Sequence, residues 1–398
     1  MTRCDVAVIG GGLIGCATAY YLARDGADVR LIEKNQINQH ASSQNAGSLH
    51  FQLEHRLIGH ETEFVEHFAR VVPLNAHAAT LWAGLEADLG ADLEVSLEGG
   101  LMVAETPEQE RLLRRKHGLE EKWGFATTLI DGREAHRLAP FLTAGVRTAS
   151  YCACEGHANP RLVTPAFLRA AVRHGVRIET NTRVTALTRH HGGWRLALER
   201  GTSAPVRVDA DIVVNAAGTW SGDVAALAGI HLPVFPVGLL MNVTEATTPF
   251  MSVLIQHAGR RLAVKQVRDG NLLIGGGWPS TLRRRGTGFD KSARPSLDPR
   301  ELAGNLRAAV DTIPQLAALN LIRSWTGIVG VTADQLPILG EVREAPGLYV
   351  ATGGSGFTLG PSYATILAAL IRTGTAPLDV SLYAPDRFDH INMFMGGR

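Results

Sequence analysis

The stretch CDVAVIGGGLIGCATAYYLARDGADVRLIEK, residues 4–34, decides the fold. Residues 5–9 are a short β-branched apolar run, Gly10, Gly12 and Gly15 complete a G-x-G-x-x-G, and residues 16–24 continue without a breaker. The pattern predicts a strand, a tight turn and a helix. The glycines serve separate purposes: the first permits the turn, the second lets backbone approach a pyrophosphate, and the third lets helix and strand pack closely. An anion then sits on the free N–H groups of the helix start, where Leu13 and Ile14 fall. A second strand over residues 29–32 delivers Glu33 and Lys34, and a carboxylate about twenty residues beyond the first glycine accepts hydrogen bonds from the ribose hydroxyls of an adenosine. The competing reading is a membrane span or signal peptide over the uncharged residues 6–23. Three consecutive glycines in its middle, the lack of a basic segment before it and the alternation of small residues argue for βαβ packing instead.

Outward from this stretch, 398 residues suffice for a large core and about two domains. Charged residues make up 19% and hydrophobic ones 45%, with 39 basic against 38 acidic side chains, so no net field draws nucleic acid or an anionic membrane. Cys4, Cys16, Cys152 and Cys154 are too sparse for a disulfide scaffold, which predicts a reducing, cytoplasmic setting. Cys152 and Cys154 with His157 resemble half of a metal site. The other two cysteines fall in the first strand and helix, where small buried thiols belong, so all four read as structural and no metal is expected.

After Lys34 comes a polar stretch and then SSQNAGSLHFQ over residues 42–52, whose Ser42, Ser43, Asn45, Ala46 and Gly47 suit phosphate and ring contacts. Helical spacing over residues 57–89 is broken at Pro73, and a charged helix is expected over 107–123, its charge run 111–116 being a solvated face. Residues 97–104 read as a strand. A helix over 161–174 follows EGHANP, two strand fragments lie at 175–178 and 182–184, and 194–198 with 206–208 suggest a small ribbon. Residues 211–217, DIVVNAA, give a buried strand ending in Gly218-Thr219-Trp220-Ser221. Alternating runs over 232–319 fit an antiparallel sheet with hairpins, closing in a glycine-rich 275–277 that lets a ring or substrate approach, or that forms a plain bulge. A strand at 347–352 leads into GGSGFTLG, residues 353–360, and a helix over 361–373.

The motifs G10-G-G-L-I-G15, E33-K34, S42-S-Q-N-A-G47 and N-A-A-G-x-W-S at 215–221 resemble the D-amino-acid oxidase (DAO) family of FAD enzymes. That resemblance covers nearly the full length. It implies an α/β fold, α+β overall, with a discontinuous Rossmann-like FAD-binding domain made of residues 1–50, 150–230 and 320–398, and an antiparallel-sheet substrate domain made of 51–149 and 231–319. It further implies that Val184 meets the adenine through its backbone, that Ala217, Gly218 and Trp220 flank the diphosphate, and that Gly327, Gly354, Ser355, Gly356, Phe357, Thr358 and Leu359 surround the flavin ring. Three separated glycine-rich elements on one cofactor fit FAD better than NAD.

Within that family the sequence looks most like the flavin subunits of opine and hydroxyproline dehydrogenases, on L-H-F-Q after N-A-G, on Lys265-Gln266, on I-G-G-G-W-P and on G-S-G-F-T-L-G. The resemblance implies hydride transfer from the α-carbon of an amine or amino acid to the flavin, with partner subunits carrying further redox centres. Two alternatives stand beside it: an oxygen-using glycine or sarcosine type oxidase, and a non-catalytic flavoprotein relay or scaffold. Family members commonly carry an arginine that anchors the substrate carboxylate where this chain has Val329 and Gly330. Either another cation supplies the anchor, with Arg261, Lys265 and Arg147 as candidates, or the substrate is held differently. His50, as well as Lys265, is a candidate catalytic group, and His50 reads equally as a hydrogen-bonded structural histidine.

Overall fold

The computed structural model describes residues 2–202 and 204–391; Met1, Ser203 and residues 392–398, which complete the segments assigned above, lie outside the described residues. The opening motif forms strand β1 (Thr2–Ile9), helix α1 (Leu13–Arg24) and strand β2 (Val29–Ile32). β1 pairs in parallel with β2, Val6 opposite Val29, and on its other side with the strand Val206–Asn215, Ile9 opposite Asn215. Strand Leu348–Thr352 extends the same sheet in parallel. α1 packs between the helices Pro160–Arg173 and Gly360–Thr373. Cover on both faces is why these strands read as unbroken apolar runs.

The strand Val206–Asn215 corrects the division into a ribbon at 206–208 and a buried strand at 211–217. Its first half pairs antiparallel with Gly193–Glu199, Val206 opposite Leu198, and its second half runs inside the parallel sheet. The first half carries exposed Val206 and Arg207 and the second is buried around Val213, Val214 and Asn215, so one continuous strand shows two patterns.

A second sheet of eight strands stands against the first. Its order is Leu321–Thr332, Val234–Ala246, Asn271–Gly275, Ala263–Gln266, Leu254–His257, Gly100–Ala104, Thr148–Cys152, Thr128–Asp131. Its neighbours are antiparallel except Leu254–His257 with Gly100–Ala104, which are parallel. Leu321–Thr332, which the resemblance places in the FAD-binding segment 320–398, pairs along its length with Val234–Ala246 in this sheet.

The helical run over 57–89 does break beside Pro73, between the helices Thr62–Ala69 and Val72–Leu89, and Pro73 sits in the first turn of the second, where its missing N–H costs nothing. The charged helix differs from expectation. The charge run 111–116 is not wholly a solvated face, because Lys116 in the helix Pro107–Lys122 is 0% exposed. Its ammonium donates to Gln52 Oε1 at 2.7 Å, Glu120 Oε2 at 2.8 Å and Ser150 Oγ at 2.9 Å, which satisfies all three of its protons without water. No helix among the described residues is long and apolar enough to cross a membrane.

Candidate functional site

Between the two sheets lies a cleft of about 1150 Å³, above the ~300–1000 Å³ usual for small-ligand pockets. Its floor is the β1–α1 turn. Gly10 has φ +117°, and a Cβ there would strike the Ala216 carbonyl; a Cβ at Gly15 would strike the carbonyl of Gly10. Only glycines let strand and helix meet this closely. The N-cap Gly12 supplies no capping side chain, and the Leu13 N–H donates to Ser42 Oγ at 2.9 Å, so the rest of the first turn offers its amides to an anion.

Glu33, 8% exposed at the end of β2, accepts from Gly11 N–H at 2.7 Å through Oε2 and from Asn35 N–H at 2.8 Å through Oε1. Each oxygen keeps a second acceptor site for a hydroxyl in the cleft. The Lys34 ammonium lies 3.2 Å from the Trp220 ring centroid; burial draws it down to about 8, against the pull of Glu33.

The cleft brings together most of the flagged residues: Gly10, Gly12, Leu13, Ile14, Glu33 and Lys34 from the opening motif, and Ser42, Asn45, Ala46 and Gly47 from the following loop. Val184, Ala217, Gly218 and Trp220 form another part of the wall, and Gly354, Ser355, Gly356, Phe357 and Thr358 a third. Long-range bonds hold these parts in place. Thr352 Oγ1 donates to the Gly218 carbonyl at 3.0 Å, Trp82 Nε1–H to the Thr358 carbonyl at 2.7 Å, and Thr358 Oγ1 to the Ser48 carbonyl at 3.3 Å. Asn45 shapes its own loop, donating to the Ala41 and Ser42 carbonyls while accepting from Gly47 N–H at 2.7 Å.

Four of the residues flagged for the cofactor lie outside the cleft wall. Gly15 packs against Gly10, Ser43 Oγ donates to the His40 carbonyl at 3.3 Å, Gly327 lies beside the Gln44 side chain, and Leu359 is buried in the core under its loop. A glycine-rich or small-residue string marks where backbone comes close, and the residues at its margins can pack behind the wall.

Residues of the segment 48–60 and of the second sheet supply more of the wall of the cleft. His50 lines it with Nδ1 buried and unpartnered among the described residues. Burial pushes its imidazole down to about 4, with Glu54 opposing, so the ring is neutral near pH 7. Burial would raise the Glu54 carboxyl, but Arg56 at 3.3 Å, His50 and the Ser355 hydroxyl at 2.7 Å hold it at about 2. Val329 and Gly330 stand in the wall with Val237, Leu239 and Ile328, so the usual arginine position is apolar here.

The candidate cations separate clearly. Arg261 lines the cleft and makes no ion pair among the described residues. Arg147 does not belong to the site: half exposed, it pairs at 2.6 Å with Glu110 of the helix Pro107–Lys122. Lys265 is 2% exposed and behind the wall, with its ammonium donating to Ser48 Oγ at 2.6 Å, so it reaches the cleft only through Ser48. Arg56, which lines the cleft and donates to Gln335 Oε1 at 3.2 Å, was not flagged by the sequence. It follows the S-S-Q-N-A-G loop within a helix-forming stretch, and no spacing sets it apart from a surface arginine.

Burial pulls Lys265 down to about 7. In the unfolded chain it titrates near 10.4, so between these values the unfolded state binds more protons and stability contributed at this position rises with pH. Lys265→Met is therefore expected to raise the melting temperature at pH 7, with the gain shrinking steadily toward pH 10. Parallel melting curves of the two proteins across that range check this; a constant difference would contradict it.

Beside the Asn38–Gln39 edge opens a second hollow of about 280 Å³, lined by Arg161, Arg294, Arg323 and Trp325. None of these three arginines makes an ion pair among the described residues. Cys152 and Cys154 lie outside both spaces with their sulfurs 3.5 Å apart, and no group of three or more possible metal ligands occurs among the described residues.

The chain matches the family described as FAD dependent oxidoreductase (DAO) over residues 5–370. It is 27% identical over 393 residues to the glycine oxidase of Geobacillus kaustophilus (strain HTA426), covering 97% of each chain. It is also 27% identical over 399 residues to an opine oxidase subunit of Rhizobium meliloti, covering 98% of this chain and 99% of that one. The crystal structure of the G. kaustophilus glycine oxidase superposes with a TM-score of 0.83 at 26% identity, covering 97% of this chain and 99% of that one.

Proposed function

Because the chain belongs to the DAO family of FAD-dependent oxidoreductases, we propose that it oxidises an amine or amino-acid-like substrate (an opine, hydroxyproline or a D-amino acid) as the catalytic subunit of a dehydrogenase complex. The observation that carries this reading is one continuous cleft of about 1150 Å³. Its wall carries both the groups for a dinucleotide, from Gly10 to Glu33, and an uncommitted guanidinium and a neutral imidazole.

The residues fit FAD. Glu33 retains acceptor sites for the ribose, the first turn of α1 retains amides for the diphosphate, and the Gly353–Thr358 loop leaves room for a ring. FAD, when bound, accepts the hydride released from the carbon beside the substrate nitrogen. The chain's own share is placement and dryness. Arg261 pairs with the substrate carboxylate in place of the arginine absent at Val329 and Gly330. His50, held neutral by burial, adds no positive charge against the amine and offers it a hydrogen-bonding nitrogen. Val237, Leu239, Ile328 and Val329 keep water from the reacting carbon.

The Rhizobium relative is named as a subunit, and the hollow of Arg161, Arg294 and Arg323 offers unpaired guanidiniums to an anionic group brought by a partner. The similarity to a glycine oxidase favours a second reading, in which oxygen takes the electrons directly. Turnover of opines, hydroxyproline, sarcosine and D-amino acids with a dye or with oxygen as acceptor separates the two. Dye reduction with little oxygen uptake is expected, and oxygen uptake at the dye-supported rate would favour the oxidase.

A further inference from the structure

Behind the segment that carries His50, Glu54 and Arg56 lies a buried polar cluster that touches none of the cleft. Glu155, 0% exposed, accepts from Phe51 N–H at 2.8 Å and Gln52 N–H at 3.0 Å through Oε1. Its Oε2 accepts from Gln52 Nε2 at 2.6 Å and, more weakly, from Gln256 Nε2 at 3.4 Å. The next amide, Leu53 N–H, donates to Glu120 Oε1 at 2.7 Å, and Lys116 ties Gln52 Oε1 to Glu120. The Phe51 carbonyl is held by Asn75 Nδ2 at 2.9 Å. A Cβ at Gly100 would strike the Glu155 carboxylate, so even the neighbouring strand is shaped to admit it.

Three successive backbone N–H groups taken by two buried carboxylates are not a fold requirement. The segment 51–53 is no part of a helix or strand, and backbone–backbone bonds or water serve loops elsewhere. Burying two carboxylates and an ammonium is costly unless geometry is well satisfied, and what the arrangement gains is a fixed path for the chain between His50 and Glu54.

We infer that Glu155 is a positioning residue for the substrate end of the cleft, setting His50 on one side and the Glu54–Arg56 pair on the other through the amides of Phe51 and Gln52. The inference rests on the proposed function only for what the cleft holds, since the placement itself is read without turnover.

The bonding pattern supplies its own test. In Glu155→Gln, one acceptor oxygen is replaced by an amide N–H donor that faces the donors of Gln52 and Gln256. In the exchange Glu155→Gln with Gln52→Glu, residue 155 keeps one oxygen for the two amides and donates to residue 52, which now offers one oxygen to that donor and the other to Lys116. Net charge is unchanged, and all pairings return except the weak one to Gln256.

With FAD-loaded proteins, amide hydrogen exchange over residues 50–56 and binding of benzoate, a simple carboxylate probe followed by the flavin spectrum, give the readout. Glu155→Gln is expected to speed exchange in that segment at least tenfold and weaken benzoate binding about tenfold, with FAD content unchanged. The exchanged pair is expected to restore both to within about threefold of the wild type. Wild-type exchange and binding in Glu155→Gln overturn the inference, as does a failure of the exchanged pair to restore them. Should Glu155→Gln not fold, the exchanged pair decides alone: folded with wild-type protection it supports the inference, unfolded or unprotected it overturns it. If wild-type protein shows no benzoate response, the amide exchange decides. A wild type that passes these tests while no amine reduces its flavin sinks the proposed function and leaves the positioning intact.

Discussion

Lys116→Met is expected to destabilise the protein by ~3–5 kcal/mol, the cost of leaving a buried carboxylate without its cation. Lys116 and Glu120 are both 0% exposed, and the ammonium that joins them also bonds Gln52 and Ser150. Methionine fills most of the volume but returns none of the three bonds. The Thr127 hydroxyl at 2.9 Å is then the only remaining side-chain donor to Glu120 Oε2 among the described residues. A fall of that size in unfolding free energy in urea, with most of it recovered in Lys116→Met with Glu120→Gln, is the expected outcome. A loss below about 1 kcal/mol would show that water or a rearranged Glu120 replaces the ammonium readily.

Glu33→Ala is expected to raise the dissociation constant of FAD at least about 100-fold, since hydrogen bonds to a charged group are worth about 1.5–3 kcal/mol each and two hydroxyls are at stake. The carboxylate does more than meet a ribose: it also fixes the Gly11 and Asn35 amides, so its removal loosens the turn that cradles the diphosphate. Glu33→Gln, which keeps one acceptor oxygen, should fall between. Titration of the apoprotein with FAD, followed by flavin fluorescence, gives the three constants; equal affinity in all three would remove Glu33 from the cofactor site.

What the sequence made legible follows from what is local. Gly10 and Glu33 stand out because a turn, a helix start and a strand end are encoded within one βαβ unit, where glycine is forced by the backbone itself. Val184, Trp220 and the Gly354–Thr358 loop needed a family resemblance, since nothing local says that segments so far apart in the chain share a wall. Arg56, Glu155 and Lys116 stayed hidden for a further reason. Glu155 sits in a loop-like EGHANP and meets Phe51, and Lys116 sits in a charged helix stretch and meets Gln52, so their roles exist only through contacts across the fold. Polar residues of ordinary surface type carry no periodicity that betrays burial. Arg147, flagged as a cation, failed for the converse reason, because its partner Glu110 lies on the helix Pro107–Lys122, away from the cleft.

The cleft is expected to hold FAD where an amine or amino acid can reduce it. Anaerobic addition of opines, hydroxyproline, sarcosine and D-amino acids to the FAD-loaded protein, followed by the visible flavin absorbance, tests it most directly. At least one of these compounds is predicted to bleach the flavin in a single turnover, with Arg261→Ala requiring a concentration at least tenfold higher for the same rate. A flavin that stays oxidised with every compound, while dithionite still reduces it, would rule out amine oxidation in this cleft.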